Sequence, residues 1–182
     1  MATPLSDSKS FMTLMEKLNN YDIKQYKWSE FLTHEENRGV FVLDRIDQEI
    51  GFFVEQRISE YDPDPGAEHL PVGGRVDWVN NKICVEQKKN PSTDNGSSKK
   101  QNMRKLCEYA EETGLQPIYA YWQPRKKNDY IKDNVRHLHG EAIFNFLGCG
   151  DQWDAFMEEV NSVKMIIKET MAAKFDEQYQ SA

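Results

Sequence analysis

Cysteine is scarce in this chain: Cys84, Cys107 and Cys149 are three residues in 182, odd in number and far apart. A disulfide framework needs an even set, and a zinc site needs ligands at short fixed spacings. The pattern instead suits free thiols in a reducing cytoplasm. No apolar run approaches the roughly 20 residues that span a bilayer. The first ten residues are polar and lack the charged-then-apolar layout of a signal peptide. A cytoplasmic chain without membrane association is expected. There is no Walker-type loop and no Gly-x-Gly-x-x-Gly, so no nucleotide cofactor is expected either. No serine or cysteine nucleophile with an adjacent base is recognisable. His137 and His139, one residue apart, do not make a helix-borne metal pair and read as structural or surface residues. With no internal repeat and no long linker, residues 1–182 read as a single domain.

What is present is a core-forming composition, 38% hydrophobic and 12% aromatic, with a formal net charge of −7. That charge is unevenly placed. Residues 1–74 hold 7 basic and 14 acidic side chains, residues 75–137 hold 13 and 8, and residues 138–182 hold 3 and 8. A basic middle third between acidic flanks leaves room for a local phosphate-binding surface, although a solvated charged surface gives the same count.

Helical spacing of Phe11, Leu14, Met15 and Leu18 predicts a first helix over residues 11–18. Ile46, Ile50, Phe53, Val54 and Ile58 predict a second over residues 42–61. Asp62-Pro63-Asp64-Pro65-Gly66 must end it, because proline removes a donor and glycine permits a turn. The period then changes. Residues 75–79 read as a strand, Asn80-Asn81 as a tight turn that tolerates positive φ, and residues 82–88 as the partner strand. Ser97 or Ser98 can cap a helix running to about residue 112, with Met103, Leu106, Cys107 and Ala110 inward and Gly114 as its stop. Residues 118–122 form a third strand and residues 142–147 a short apolar segment closed by Gly148 and Gly150. Residues 153 to about 178 form a final helix with Phe156, Val160, Val163, Ile167 and Met171 on one stripe. The class is α/β (α+β), with a small mixed sheet.

The stretch from Arg75 to Asn90 carries the chemistry. A turn at Asn80-Asn81 sets Asp77 near residue 84, and strand twist brings it towards the end of the next strand. Side chains alternate along that strand, so Glu86 and Lys88 share a face and Gln87 takes the other. Two carboxylates and an ammonium then converge. Carboxylates are hard oxygen ligands for Mg²⁺, which keeps waters and bridges to phosphate. An ammonium beside them can orient a water or stabilise developing charge. A salt-bridged hairpin end is the purely structural reading of the same residues. It competes poorly, because charged residues ending an Ile-Cys-Val strand are costly core material.

Asp77, eight intervening residues, and then Glu86-Gln87-Lys88 resemble the PD-(D/E)XK nuclease superfamily, which includes type II restriction endonucleases and Holliday-junction resolvases. Val76 stands where the motif has proline. The resemblance implies a restriction-endonuclease-like central mixed β-sheet flanked by helices, Mg²⁺ dependence and hydrolysis of phosphodiester bonds. On this pattern Asp77 and Glu86 bind Mg²⁺, the Gln87 backbone carbonyl adds a ligand, and Lys88 assists the attacking water. Gly51-Phe52-Phe53-Val54-Glu55 looks like the family's Gly-x-x-x-Glu helix. This makes Glu55 an outer ligand, although helical phase places Glu49 nearer the apolar stripe. Residues 139–147 with Trp153 and Phe156 look like a late segment of several restriction endonucleases.

Candidate DNA contacts follow from chemistry and position. Lys89 faces opposite to Lys88, as a solvated or phosphate-contacting lysine. Ser97, Ser98, Lys99, Lys100, Gln101 and Arg104 open a helix whose N-terminus favours phosphate. Asn90, Gln101 and Arg104 are able to read base edges. Arg125-Lys126-Lys127 is either a solvated turn or a backbone contact. The expectation is a Mg²⁺-dependent type II restriction endonuclease acting on double-stranded DNA as a homodimer, since palindromic targets match a two-fold protein. A junction resolvase or repair nuclease of the same fold, or a non-catalytic DNA-binding module, are the alternatives.

Overall fold

The computed structural model describes residues 3–71, 74–90, 96–123 and 129–179. They fall into two compact units, one of residue 3 with the described residues of 54–154, the other of residues 4–53 and 155–179.

The second unit is helical. Helix α1 (Lys9–Asn19) starts where the Ser8 hydroxyl accepts from the Phe11 N–H, and it buries Leu14 and Leu18 as the spacing requires. Helix α2 (His34–Tyr61) starts well before residue 42, the beginning read from apolar periodicity. Thr33 and Glu36 account for the difference. The Glu36 carboxylate accepts from the Thr33 N–H at 2.8 Å, and the Thr33 hydroxyl accepts from the Glu36 N–H at 3.3 Å, a reciprocal cap on a polar first turn. Later in the chain, the stripe predicted for the last helix (Trp153–Gln178) is buried in full, from Phe156 to Met171, and Phe175 extends it. The rings of Trp28, His34 and Phe41 meet that of Phe175 at centroid distances of 5.3, 5.0 and 6.0 Å. Each apolar side chain of the stripe taken fully from water contributes roughly 1.5–3 kcal/mol.

The first unit holds a six-stranded mixed sheet: β1 (Glu68–His69), β2 (Trp78–Val79), β3 (Ile83–Lys88), β4 (Gln116–Tyr121), β5 (Tyr130–Lys132) and β6 (Val135–His139). Their spatial order is β1-β2-β3-β4-β6-β5. β3, β4 and β6 are parallel, and the outer pairings are antiparallel. Parallel neighbours need a crossover, and helix α3 (Gly96–Thr113) supplies it between β3 and β4. Leu106 and Ala110 of α3 pack with Val76, Cys84, Tyr119, Tyr121 and Val135 in one core. Gly114, at φ 73°, stops α3 in the left-handed region that favours glycine. Helix α4 (Glu141–Leu147) follows β6 and ends on Gly148 at φ 80°, and the Trp153–Gln178 helix is α5. The mixed α/β class with a mixed sheet flanked by helices is therefore present.

Four local expectations are corrected. The strand read over residues 75–79 is regular only at Trp78–Val79. Asn80-Asn81 takes no positive φ. Instead Asn80 is buried, and its Oδ1 accepts from the Lys82 and Ile83 N–H groups while its own N–H donates to the Ile83 carbonyl. The turn thus centres one residue later, and pairing moves by two: Trp78 opposes Val85 and Val79 opposes Cys84, so Asp77 does not sit opposite residue 84. Finally, Ser97 and Ser98 lie inside the first turn of α3, which already begins at Gly96, and do not precede it as caps.

The loop after α2 positions this hairpin. Asp62 accepts from the Asn80 side-chain amide at 2.6 Å, and Asp64 from that of Asn81, also at 2.6 Å. Among the described residues no helix is long and apolar enough to cross a membrane.

Candidate active site

Moving the hairpin register by an even number keeps every side chain on its face. Asp77 is thereby carried to the end of β3. Its N–H donates to the Val85 carbonyl at 2.9 Å, and its carboxylate Oδ2 accepts from the Gln87 N–H at 2.6 Å. Trp78 is also the register partner of Val85, so two residues of this strand meet one of β3, a local departure that aims Asp77 at the strand end.

Alternation along β3 does the rest. Gln87 turns to the opposite face, buried, where its Oε1 accepts from Trp78 Nε1 at 3.1 Å. Glu86 and Lys88 share the other face: Lys88 Nζ lies 2.6 Å from Glu86 Oε1 and 3.9 Å from Asp77 Oδ2. Burial lowers the Lys88 ammonium's pKa, but the charges of Asp77 and Glu86 more than offset it, leaving it above the ordinary lysine value. Lys88 is a cation throughout the neutral range.

Glu55, on α2, belongs to the same electrostatic cluster. Its pKa is pushed up to about 8, first by burial and then by the Asp77 carboxylate. Lys88 pulls it down and Glu86 raises it further. Three acids therefore share one ammonium. Glu49 is engaged elsewhere: it is 2.7 Å from Lys17 Nζ and 3.8 Å from Arg45 Nη1, all within the helical unit. Of the two glutamates offered by the helix, Glu55 is the one that feels the charges of Asp77, Glu86 and Lys88.

Among the described residues, no group of three or more His, Cys, Asp and Glu side chains stands as a ready-made metal cage. Asp77 and Glu86 are nevertheless donors of the type that Mg²⁺ takes. That ion takes one or two carboxylates and fills its shell with water and substrate phosphate. A cluster with more acid than base, which holds one of its acids protonated, has the charge that such an ion would balance.

The remaining candidates scatter. Asn90 donates its side-chain amide to Gln123 Oε1 at 3.1 Å, and the Lys89 carbonyl accepts from the Gln123 N–H, so both residues serve the joint between β3 and β4. Ser97, Lys100, Gln101 and Arg104 are exposed on α3 and Ser98 is half-buried. Arg104 lies 3.5 Å from Glu108. Lys99 sits above the Tyr119 and Tyr121 rings, at 5.9 and 5.7 Å from their centroids. Arg125, Lys126 and Lys127 lie outside the described residues.

One part of this sheet face escaped the sequence reading. Strand β6 brings in His137 and His139, both buried, so neither is a surface residue. Glu86 pairs in register with Tyr119, Tyr119 with His137 and His137 with Tyr130. Lys88 pairs with Tyr121 and Tyr121 with His139. One row of rings thus runs from Glu86 and one from Lys88 across the sheet. The signal was available in the Val135-x-His137-x-His139 alternation and in Asp133-Asn134, which form the positive-φ turn at 51° and 62°.

Compared with protein-family models, with curated proteins and with solved structures, the chain finds no match.

Proposed function

We propose that this chain is a Mg²⁺-dependent endonuclease that hydrolyses phosphodiester bonds of double-stranded DNA in the manner of a type II restriction endonuclease. The observation that supports the reading is the meeting of Asp77, Glu86 and Lys88 at the end of β3, with Lys88 Nζ 2.6 Å from Glu86 Oε1 and 3.9 Å from Asp77 Oδ2.

Asp77 and Glu86 would hold the ion, with the Gln87 backbone carbonyl as a further ligand and Glu55 as an outer one. A bound divalent ion supplies an acidified water and charge neutralisation at phosphate. The chain's own part is orientation and charge. The Gln87 N–H fixes the Asp77 carboxylate. Lys88, kept protonated by its two acids, donates to the attacking water or to a phosphate oxygen where negative charge grows. Glu55, whose pKa burial and the Asp77 carboxylate push up to about 8, would ionise more readily beside a bound cation. We further propose a homodimer, because one site of this size cuts one strand and a two-fold partner supplies the second.

Plasmid DNA and a four-way junction, each incubated with the protein and Mg²⁺, separate the alternatives. Discrete, reproducible plasmid fragments are expected. Cutting confined to the junction would replace the restriction reading with a resolvase. Intact DNA with a mobility shift would leave a binding module only.

A further inference from the structure

The rows of rings on the sheet lead away from Glu86 and Lys88 into a second feature. Between the start of α3 and the β5–β6 hairpin lies a cavity of about 620 Å³, lined in part by Lys99, Lys100, Arg104, Tyr130, Lys132 and His137. Asp133 is the acidic residue of the lining. The volume lies within the ~300–1,000 Å³ of small-molecule sites, and four basic residues in its wall suit an anion.

Its floor is aromatic. The Tyr130 and His137 rings stack at 4.3 Å with planes 10° apart, and His137 stacks on Tyr119 at 5.6 Å and 21°. Tyr130, at the outer end of this row, is 40% exposed. A planar base laid against Tyr130 would extend the row by one ring. His137 completes the floor: it is 1% exposed, held between the rings of Tyr130 and Tyr119. Its Nδ1 lies 3.4 Å from the Tyr121 hydroxyl.

We propose that this cavity binds one nucleotide unit of a nucleic-acid strand, its base against Tyr130 and its phosphate among Lys99, Lys100, Arg104 and Lys132. The inference rests on the nuclease reading for its direction: Glu86 and Tyr130 are three strand positions apart in one register row, about 14 Å. A strand whose scissile phosphate lies at Glu86 and Lys88 would thus bring a nucleotide further along it to Tyr130. A base held in this way is out of the duplex, as it is where stacking platforms and basic walls hold single strands.

Calorimetric titration in EDTA with thymidine 5′-monophosphate, thymidine, inorganic phosphate and a short single-stranded oligonucleotide tests this without any cleavage. The monophosphate should bind saturably, and thymidine or phosphate alone should bind at least about ten-fold more weakly. The oligonucleotide should displace the monophosphate. Tyr130→Ala and Lys132→Ala, checked for native circular dichroism, should each weaken both ligands by about ten-fold. No saturable binding, an oligonucleotide that fails to compete, or variants that bind like the parent would each overturn the proposal. DNA cleavage measured on the same samples keeps the readings apart. A protein that cuts without binding the monophosphate refutes the cavity alone, and one that binds it without cutting refutes the nuclease alone.

Discussion

Glu55 is the residue whose behaviour reports most on the site. Its folded-state pKa, about 8, lies above the ordinary 4.5, so the folded chain holds a proton that the unfolded chain releases. Stability from this group is fully present below pH 4.5 and is lost as pH rises towards 8. Glu55→Gln should therefore gain on the parent as pH rises, by on the order of a few kcal/mol between pH 5 and pH 8.5 without divalent ions. Urea denaturation at the two pH values checks this, and an equal difference at both would remove Glu55 from the cluster. Glu86 and Lys88 were legible in the sequence because alternation puts them on one face of a strand, whereas Asp77 was placed two positions off in register. Glu55 was ambiguous against Glu49, because helical phase measures distance from an apolar stripe. It does not show which acid meets a distant carboxylate.

At the scale of elements, hydrogen-bonding side chains decided what periodicity did not. The start of α2 was misplaced because its first turns are polar, and only the Thr33–Glu36 cap marks them. Thr33→Ala should lower stability by about 1 kcal/mol in a denaturation curve, while Thr33→Ser should restore most of it. The hairpin shows the same lesson from the other side. Asn80-Asn81 and Asp133-Asn134 look alike as turn pairs, yet only the second takes positive φ. Asn80 spends its side chain on the Lys82 and Ile83 N–H groups and on Asp62. Asn80→Ala should loosen the turn that sets the register of Asp77. The expected result is loss of at least about 1 kcal/mol together with lower activity. Unaltered activity would separate the turn from the site. Strands β5 and β6 went unread because His137 and His139 are polar by type, although they are buried against aromatic rings.

For the molecule as a whole, a net charge of −7 coexists with a basic middle third, so DNA affinity should be local and salt-dependent. Lys100→Ala, on the exposed start of α3, should weaken binding to all sequences alike and lower the slope of log affinity against log salt by about 1. A divalent ion that binds only the folded chain should stabilise it by about 2.7 kcal/mol at a hundred times its dissociation constant. It should also release a proton near neutral pH as Glu55 ionises, seen as a buffer-dependent binding heat. The mixed sheet and its flanking helices were legible in outline, whereas the pairing of six strands depended on contacts far apart in the chain. The most direct measurement compares the parent with Lys88→Ala and Asp77→Ala for plasmid cleavage in Mg²⁺, with DNA binding followed in parallel in Ca²⁺. Both variants should bind DNA within a few-fold of the parent and lose at least about 100-fold in cleavage rate. Cleavage retained in either variant, or a parent that leaves DNA intact, would contradict the assignment.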